Sequence, residues 1–425
     1  MTERSKKPAL QKRRQFLKAT AATGAAVSVP YFYSAPKTLA DESQSKNDRI
    51  AIGVIGAGGM ANGNMKSAKD WLDVVAVCDV DSRRAASSNN NMSRGKATEY
   101  SDYRELLDRK DIDVVHIATP DHWHTKPLVE AMLAGKDVYC EKPLTLTIDE
   151  GKLIRKVQKE TGRVVQVGTQ QRSTFPFFVT AMAIVNEGRL GTIRQVQASI
   201  GGAPTSPPIP AVTPPAELDW DRWLGPAPAV AYRDLPSQKN SGRGNTNCHY
   251  EFRWWYEYSG GKMTDWGAHH VDIATWACGL TGTGPQTVTP IMVEHPMAYK
   301  DGMPTRDDMY NVANKFDVQL KFENGITMNI VSDSANGNGI LFEGTKGRFH
   351  VSRGAMKGKP VEDLETNPIT DDQIAEVYGG KLPEGKYAHM YNFLDCIKTG
   401  KQPISDVHTH NRALANCHLA NIAIR

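Results

Sequence analysis

The sequence predicts an α/β protein whose N-terminal part is a doubly wound parallel sheet. A short apolar run, Ile50–Ile55, enters a glycine-rich turn and then a helical pattern, and a second apolar run ends at Asp79. Helix and strand patterns then keep alternating as far as the run VVQVG. Short, continuous apolar runs are typical of strands buried on both faces, which is the usual state of parallel strands.

The glycine-rich turn has the parts of a dinucleotide-binding site. Its glycines are Gly56, Gly58 and Gly59, and Ala61 takes the third position of the GxGxxG pattern, where a small residue is permitted. Backbone amides of such a turn approach a pyrophosphate, and the following helix N-terminus adds partial positive charge. Asp79 stands at the spacing of the acidic residue that accepts ribose hydroxyls.

The charge around Asp79 bears on which dinucleotide is bound. A carboxylate at this position repels a 2′-phosphate, which favours NAD over NADP. Arg83 and Arg84 lie just beyond it and suit a 2′-phosphate, so NADP stays an alternative. We assign Met60, within the turn, to the same cofactor site.

Polar residues collect where later strands of the sheet end. Strand Val114–Ala118 stops at Thr119-Pro120, and strand Asp137–Cys140 is followed by EKP; helices are expected at Thr125–Ala134 and Ile148–Thr161. Ligands of doubly wound sheets bind beyond the carboxyl ends of the strands. The candidates there are Thr119, Pro120, His122, His124, Glu141, Lys142, Gln166 and Arg172. We also hypothesise a cis peptide bond before Pro143.

The stretch GGKMTDWGAHHVD, residues 260–272, is crowded with titratable groups. Helical positions four and seven apart share a face, so Asp265, His269 and Asp272 would lie on one side while His270 points elsewhere. A structural cluster, a metal site and an acid/base constellation all fit these residues.

Residues 1–40 predict an export signal of the twin-arginine (Tat) type. KRRQFLK, residues 12–18, precedes an apolar run of small residues and a cleavage point at Ala40. The run is too short and too poor in Leu and Ile to span a bilayer. We expect a periplasmic protein with no stable membrane insertion after signal removal, and a linker over residues 41–48.

Composition excludes other classes of protein. The net charge is +4, part of it in the leader, and no basic patch interleaved with aromatic residues indicates nucleic-acid binding. The six cysteines have no CxxC spacing and predict scattered core residues instead of a disulfide framework. The nucleotide-binding domain is predicted over residues 49–168 and a second domain over residues 169–425.

The sequence of the second domain gives fewer structural signals. IRQVQASIGG and FDVQLKFENGITMNIVSDS alternate like half-buried antiparallel strands, with a hairpin turn at Asn324-Gly325. Between them, the Pro- and Gly-rich insert 203–247 is either a wall or lid over a pocket or a solvent-side loop. Residues 387–425 predict one final helix that stops within an apolar pattern, which leaves open whether the chain is truncated.

The glycine-rich turn, ATPDHWH, EKP and DWGAHHVD together resemble the Gfo/Idh/MocA oxidoreductase family over nearly the whole mature chain. The resemblance implies an N-terminal Rossmann domain and a C-terminal α+β domain with a large, mostly antiparallel sheet. It further implies NAD(P)-dependent oxidation or reduction of sugars and cyclitols, and a homodimer or homotetramer. The family's lysine falls on Lys142, its aspartate and histidine on Asp265 and His269, and Asp272 matches a position that binds substrate hydroxyls.

The chemistry of these residues agrees with that function. Oxidising a secondary alcohol needs a base for the hydroxyl proton while hydride leaves its carbon. His269 suits this role because an imidazole ordinarily titrates near neutrality, and Lys142 either stabilises the alkoxide or acts as the base itself, so the choice stays open. Asp265 would hold one of them. Arg172 and Tyr256 would line a sugar pocket.

A metal site fits less well, because EKP has no role in it, and we predict none. Two alternatives to a simple dehydrogenase are an NAD-dependent glycoside-cleaving enzyme, which oxidises the ring transiently, and a non-catalytic sugar or nucleotide sensor. The predicted cofactor site comprises Gly56, Gly58, Gly59, Met60, Ala61, Asp79, Thr119, Pro120, His124, Glu141 and Lys142.

Overall fold

The computed structural model describes residues 49–240, 243–382 and 388–425. The predicted export signal, residues 1–40, and the linker 41–48 lie outside the described residues. The described residues form a six-stranded sheet, a seven-stranded sheet and two small two-stranded sheets. Among their helices, none has the length and apolar character needed to cross a membrane.

The six-stranded sheet is the predicted N-terminal parallel sheet. Its strands are β1 Ile50–Ile55, β2 Leu72–Cys78, β3 Thr98–Tyr100, β4 Val114–Ile117, β5 Asp137–Cys140 and β6 Val165–Val167. Their order is β3-β2-β1-β4-β5-β6 with all neighbours parallel, which is the doubly wound order that changes direction between β1 and β4. The sequence did not predict β3, whose three residues are polar or aromatic and mostly exposed.

Helices cover both faces of this sheet. They are α1 Gly59–Ala68, α2 Ser82–Ser93, α3 Tyr103–Leu107, α4 Thr125–Leu133 and α5 Ile148–Thr161. Helix α5 has the predicted bounds because its ends are marked locally: Thr147 and Glu150 form a capping box, and Gly162 adopts the left-handed conformation at its C-terminus.

The second sheet is mixed but mostly antiparallel. Strands of the C-terminal part are β7 Ile193–Ser199, β8 Asp234–Asn240, β9 Arg243–Thr246, β10 Thr287–Glu294, β11 Tyr299–Lys300, β12 Met303–Pro304, β13 Lys315–Lys321, β14 Thr327–Val331, β15 Gly339–Gly344, β16 Gly347–Val351 and β17 Met356–Lys357. The large sheet has the order β10-β13-β14-β7-β15-β16-β17, in which only β14 and β7 are parallel. The predicted hairpin β13–β14 is confirmed, with Gly325 at φ 85° in its turn.

The helices of the C-terminal part are α6 Phe178–Asn186, α7 Trp220–Leu224, α8 Lys262–Asp265, α9 Gly267–Ala277, α10 Lys359–Glu362, α11 Asp371–Tyr378, α12 Ala388–Thr399 and α13 Val407–Ile424. The prediction of one final helix was wrong, because α12 and α13 are separate. Gly400 is in the left-handed conformation after α12, and Asp406 caps α13 by accepting from the amides of His408 and Thr409.

The insert 203–247 packs against the N-terminal sheet. The amide of Asp219 donates to the carbonyl of Val80, after β2, at 3.0 Å. In the loop after β4, the indole of Trp123 donates to the carbonyl of Trp223 at 2.9 Å. The described part of the insert therefore packs along the carboxyl ends of the strands, and its role as a wall or lid over a pocket stays a prediction.

A buried ion pair joins the turn after β6 to α9 and α13. The guanidinium of Arg172 donates to both carboxylate oxygens of Asp272, at 2.6 and 2.7 Å, and also to Ile404 O and Thr409 Oγ1, both at 2.9 Å. The ring of His410 lies 3.1 Å from the same carboxylate. All five N–H groups of an arginine seek acceptors, and this one finds four bonds inside the protein.

This pairing contradicts the substrate-binding role predicted for Arg172 and Asp272. Each side chain is at most 2% exposed, so neither offers a free polar group to a sugar. The sequence shows that both residues are charged, but it does not show that they form an ion pair with each other.

We predict that Arg172→Met destabilises the protein by about 3–5 kcal/mol, because it leaves the Asp272 carboxylate buried and unpaired. Urea denaturation measures this. The matched control is Arg348→Met, which removes an exposed partner of Glu343 and should cost at most about 1 kcal/mol. Equal losses in the two variants would refute a structural role for the Arg172 pair.

Candidate active site

The glycine turn after β1 lies directly against the loop after β4. Gly56 has φ 84°, and a Cβ atom placed on it would come within 2.5 Å of the backbone nitrogen of Thr119. Gly59 faces open space, with no atom within 4 Å of such a Cβ. Ala61, at the third small position, is fully buried. Only glycine fits Gly56, and the open side of the turn is free to receive a ligand.

A cavity of about 380 Å³ opens in front of α1. The amides at the start of α1 have no side-chain cap, since Gly58 stands at that position. Beside the turn, Asn62 Oδ1 and Thr119 Oγ1 are buried without a hydrogen-bond partner among the described residues. Free backbone amides at a helix N-terminus beside a concave wall fit the pyrophosphate of a dinucleotide. The lining residues are Ala57, Gly58, Gly59, Asn62, Asp81, Arg83, Arg84, Ser87, Ser88 and His249.

The acid on the wall of this cavity is Asp81, not the predicted Asp79. The carboxylate of Asp79 accepts from the amides of Ala57, at 2.8 Å, and Asp81, at 2.9 Å, so it fixes the glycine turn. The Asp81 carboxylate lies 3.2 Å from Arg83 and 3.4 Å from His249. The sequence places both acids after β2, and only the turn geometry decides which one reaches the cavity.

His124 clamps two loops together. Its Nδ1 lies 2.6 Å from the carbonyl oxygen of Pro143, and its Nε2 lies 2.9 Å from that of Thr119. Burial lowers the pKa of this ring to about 4, and the two carbonyls oppose that effect. A neutral imidazole has a single N–H, so His124 donates to one of these two carbonyls, and its predicted contact with a cofactor stays a prediction. The Lys142–Pro143 bond is cis, as hypothesised.

Glu141 is also held inside the protein. Its Oε1 accepts from Asn64 of α1 at 2.7 Å and from Gln170 at 3.3 Å. Burial raises the pKa of this carboxyl group. Glu141 thus connects α1 to the turn after β6, which positions the glycine helix. Of the other predicted cofactor residues, Met60 is 45% exposed at the start of α1 and Pro120 is half-buried.

The predicted lysine and aspartate meet across the two halves of the molecule. Lys142 Nζ donates to Asp265 Oδ1 at 2.6 Å and to the Asp265 carbonyl at 2.9 Å. Arg253 Nε donates to the same Oδ1 at 3.3 Å. Burial acts to raise the pKa of Asp265, but Lys142 and Arg253 hold it below its ordinary value. Sequence reasoning missed Arg253, which has no motif of its own.

His269 lies beside this pair but on a different helix. The prediction of one continuous helical face was wrong, because α8 ends at Asp265 and α9 begins at Gly267. Asp265 therefore turns to Lys142, while Asp272 turns to its arginine. His270 points elsewhere, as predicted, with Nδ1 3.0 Å from the Ser199 carbonyl.

The His269 imidazole is buried and its Nδ1 has no hydrogen-bond partner among the described residues. Burial, then the charges of Lys142 and Arg353, lower its pKa well below the ordinary value. The ring is thus neutral at neutral pH and able to accept a hydrogen bond. The Lys142 ammonium group and the neutral imidazole of His269 therefore lie close enough for the charge of the lysine to act on the histidine.

Tyr256 packs near the C-terminus of the chain. Its hydroxyl accepts from the amide of Ala313 at 3.4 Å, and the Arg425 guanidinium lies 4.8 Å from its ring centroid. Its place in a sugar pocket stays a prediction. Within the described ranges, no three side chains of His, Cys, Asp or Glu are arranged to hold a metal ion.

A second carboxyl group near Lys142 was also missed. Asp121, in the 3₁₀ turn Asp121–Trp123, is buried and accepts from Ser259 Oγ at 2.6 Å. Burial raises its pKa to about 7, against the lowering effect of Arg253 and Lys142. Its sequence context, PDHWH, gives no sign that this aspartate faces inward.

Comparison with known families accounts for most of the chain. The model described as "Oxidoreductase family, NAD-binding Rossmann fold" matches residues 50–169, and that described as "Oxidoreductase family, C-terminal alpha/beta domain" matches residues 206–424. Residues 12–30 match the Tat pathway signal sequence, which supports export by the Tat route.

Individual relatives are more distant. An inositol 2-dehydrogenase of Salmonella paratyphi B is 31% identical over 186 residues, which are 41% of this chain and 54% of that protein. A glycosyl hydrolase family 109 protein of Shewanella sp. (strain ANA-3) is 34% identical over 158 residues, 32% of this chain and 35% of that protein. The match to the inositol dehydrogenase thus spans about half of its length. A levoglucosan dehydrogenase structure with NADH and levoglucosan shares the fold, with a TM-score of 0.62 and 18% identity over 89% of this chain and 97% of that one.

We predict that Gly56→Ala destabilises the protein by more than about 2 kcal/mol, because the new Cβ would meet backbone atoms that have no room to move. Thermal unfolding followed by circular dichroism measures the change. The control is Gly63→Ala on α1, where nothing lies within 4 Å, and which should be neutral or stabilising. A neutral Gly56→Ala variant would contradict the close approach.

We predict that the raised pKa of Asp121 makes the free energy of unfolding depend on pH. Since its folded pKa is raised, the folded state keeps a proton that the unfolded state has lost, and stability falls as pH rises from about 4 to about 7. In Asp121→Asn this loss should shrink by up to a few kcal/mol. Urea denaturation between about pH 5 and about pH 8 tests it. The exposed Asp70→Asn is the control, and identical pH profiles for wild type and Asp121→Asn would contradict the assignment.

Proposed function

The chain belongs to the Gfo/Idh/MocA oxidoreductase family, and on that basis we propose that it is an exported NAD(P)-dependent oxidoreductase. It transfers hydride between a secondary alcohol of a sugar, glycoside or cyclitol and a bound nicotinamide. One observation carries the proposal: Lys142 Nζ, fixed by Asp265 at 2.6 Å, stands at the carboxyl ends of a sheet whose first turn fits a dinucleotide. Dinucleotides bind across that edge of a doubly wound sheet.

The residues divide the chemistry between them. When bound, the nicotinamide supplies the hydride acceptor. Lys142, held in place by the Asp265 carboxylate, donates a hydrogen bond to the substrate oxygen, which stabilises the developing negative charge. The neutral imidazole of His269 has a lone pair to accept the hydroxyl proton. We therefore assign the base to His269 and the electrostatic role to Lys142, with Asp265 and Arg253 holding the lysine in place.

The cofactor site in this proposal differs from the first assignment. Gly56, Gly58 and Gly59 form the turn and Asp81 lines the cavity beside it, while Asp79, Glu141 and His124 hold the surrounding loops in place. In this proposal His249, which begins the 3₁₀ turn directly after the insert, lines the adenosine end of the cavity. NAD agrees with the Asp81 carboxylate, which already neutralises Arg83.

A second candidate is an NAD-dependent glycoside-cleaving enzyme, which is favoured by the similarity to a glycosyl hydrolase family 109 protein. In such a cycle, transient oxidation of the ring is followed by elimination of the substituent and return of the hydride. The same lysine and histidine would serve both reactions. Release of a chromogenic leaving group from a glycoside without net NADH would distinguish this candidate from a dehydrogenase.

We also propose a homodimer or homotetramer, with domains at residues 49–168 and 169–425. The support for assembly is the edge strand β10, whose Ile291 and Met292 side chains are 57% and 43% exposed. Exposed apolar side chains on an edge strand suit pairing with a second copy.

We predict that Lys142→Met and His269→Gln each lower kcat/KM for the best polyol substrate by about 10²–10⁴, with little change in the amount of bound nucleotide. Nicotinamide absorbance follows turnover, and mass spectrometry of the denatured protein measures nucleotide. Because the pKa of His269 is lowered, the acidic limb of the wild-type kcat/KM profile should lie below the ordinary imidazole range.

The control is Lys152→Met, an exposed lysine on α5, which should behave as wild type. Unchanged turnover in Lys142→Met would refute the proposed function.

A further inference from the structure

Four cationic side chains surround the single carboxylate of Asp265, and we call them the cationic mouth: Lys142, Arg253, Lys262 and Arg353. They come from four separate segments of the chain, the loop after β5, the 3₁₀ turn His249–Trp254, helix α8 and the segment after β16. Convergence from so many places is not the result of one local charge run.

Two of the four cations, Lys262 and Arg353, stack on the Trp266 ring, and Lys262 also lies 5.8 Å from the centroid of the Trp254 ring. The Lys262 ammonium lies 5.6 Å, and the Arg353 guanidinium 4.5 Å, from the centroid of the Trp266 ring. Trp266 immediately follows Asp265. With its side-chain amide in the hydrogen-bonding orientation, Gln171 accepts from Arg353 Nε at 3.0 Å, which fixes the arginine at the rim.

The mouth carries more positive charge than the protein neutralises. Asp265 forms ion pairs with Lys142 and Arg253, and within the described part of the chain neither Lys262 nor Arg353 has a carboxylate at ion-pair distance. Burial lowers the pKa of Lys262; the Asp265 carboxylate acts to raise it, and the repelling charges of Lys142 and Arg253 lower it further. Stacking on tryptophan offsets only a small part of this repulsion.

A neutral sugar or cyclitol carries no negative charge that could offset this excess of positive charge. The oxidised nicotinamide that the proposed function requires is itself a cation, which adds to the repulsion. A negatively charged group on the substrate would offset both costs, and lysine and arginine are the residues that bind carboxylates and phosphates.

We therefore propose that the substrate is an anionic sugar derivative whose charged group is bound by Lys262 and Arg353 while Lys142 contacts the reacting hydroxyl. This inference rests on the proposed function and specifies its substrate class. A carboxylate and a phosphate ester share the recognition chemistry, and the experiment separates them.

The test compares kcat/KM for glucuronate, a hexose phosphate and glucose, followed by nicotinamide absorbance with the nucleotide-loaded protein. We expect one of the two anions to exceed glucose by about tenfold or more, and Lys262→Met/Arg353→Met to remove most of that preference. Glucuronate ahead of the hexose phosphate identifies a carboxylate, and the reverse order identifies a phosphate. The control is Arg348→Met, which removes an exposed cation from the neighbouring strand β16 and should keep the preference.

Binding provides a second readout that does not depend on turnover. Quenching of tryptophan fluorescence by glucuronate or the hexose phosphate should saturate in wild type and weaken by about tenfold in the double variant. Equal kcat/KM for glucose and both anions, or a preference that survives in the double variant, overturns the inference and leaves the oxidoreductase intact. If none of these sugars and no cyclitol reduces the nucleotide while the anions still bind through Lys262 and Arg353, the proposed function fails and the anion site stands.

Discussion

The ion pair between Lys142 and Asp265 is the contact on which the active site depends. Lys142 is fixed by the parallel sheet, since it follows β5 and precedes a proline, whereas Asp265 ends a helix of the C-terminal part. An exposed lysine samples many rotamers, and immobilising it costs entropy. A partly buried carboxylate at 2.6 Å offsets that cost, so the ammonium group points at one place above the strand ends. Everything proposed about catalysis follows from this fixed direction.

Buried polar contacts support that direction from behind. His124 ties the loop after β4 to the loop that carries Lys142, and Glu141 ties the same loop to the glycine helix through Asn64. Deeper still, the Arg172–Asp272 pair fixes α9, which carries His269. Motif residues thus act in two layers. One layer faces the cavities, and the other satisfies buried partners and holds the first layer in position.

Sequence reasoning predicted the architecture well and the roles of individual residues less well. Strand β1, helix α5 and the hairpin β13–β14 were predicted because apolar runs, a capping box and an Asn-Gly turn are local signals. Local signals also identified the glycine turn. The short polar strand β3 has no such signal.

Residue roles depend on contacts between distant segments, which periodicity does not contain. Asp79 and Asp81 differ by two positions, yet one bonds the turn and the other lines the cavity. Arg253 and His249 come from a segment without a motif. The helical pattern over residues 260–272 was interrupted at Trp266, which separated Asp265 from Asp272 and sent each to a different cation.

Direct observation of the nucleotide and the lysine together tests the central claim best. A crystal structure of the protein with NAD and a polyol would locate the nicotinamide ring relative to Lys142 and His269. We expect both side chains to contact the same substrate hydroxyl, above the reactive face of the ring. Lys142 and His269 opening onto different cavities, or the glycine turn blocked by protein in the loaded crystal, would contradict the account.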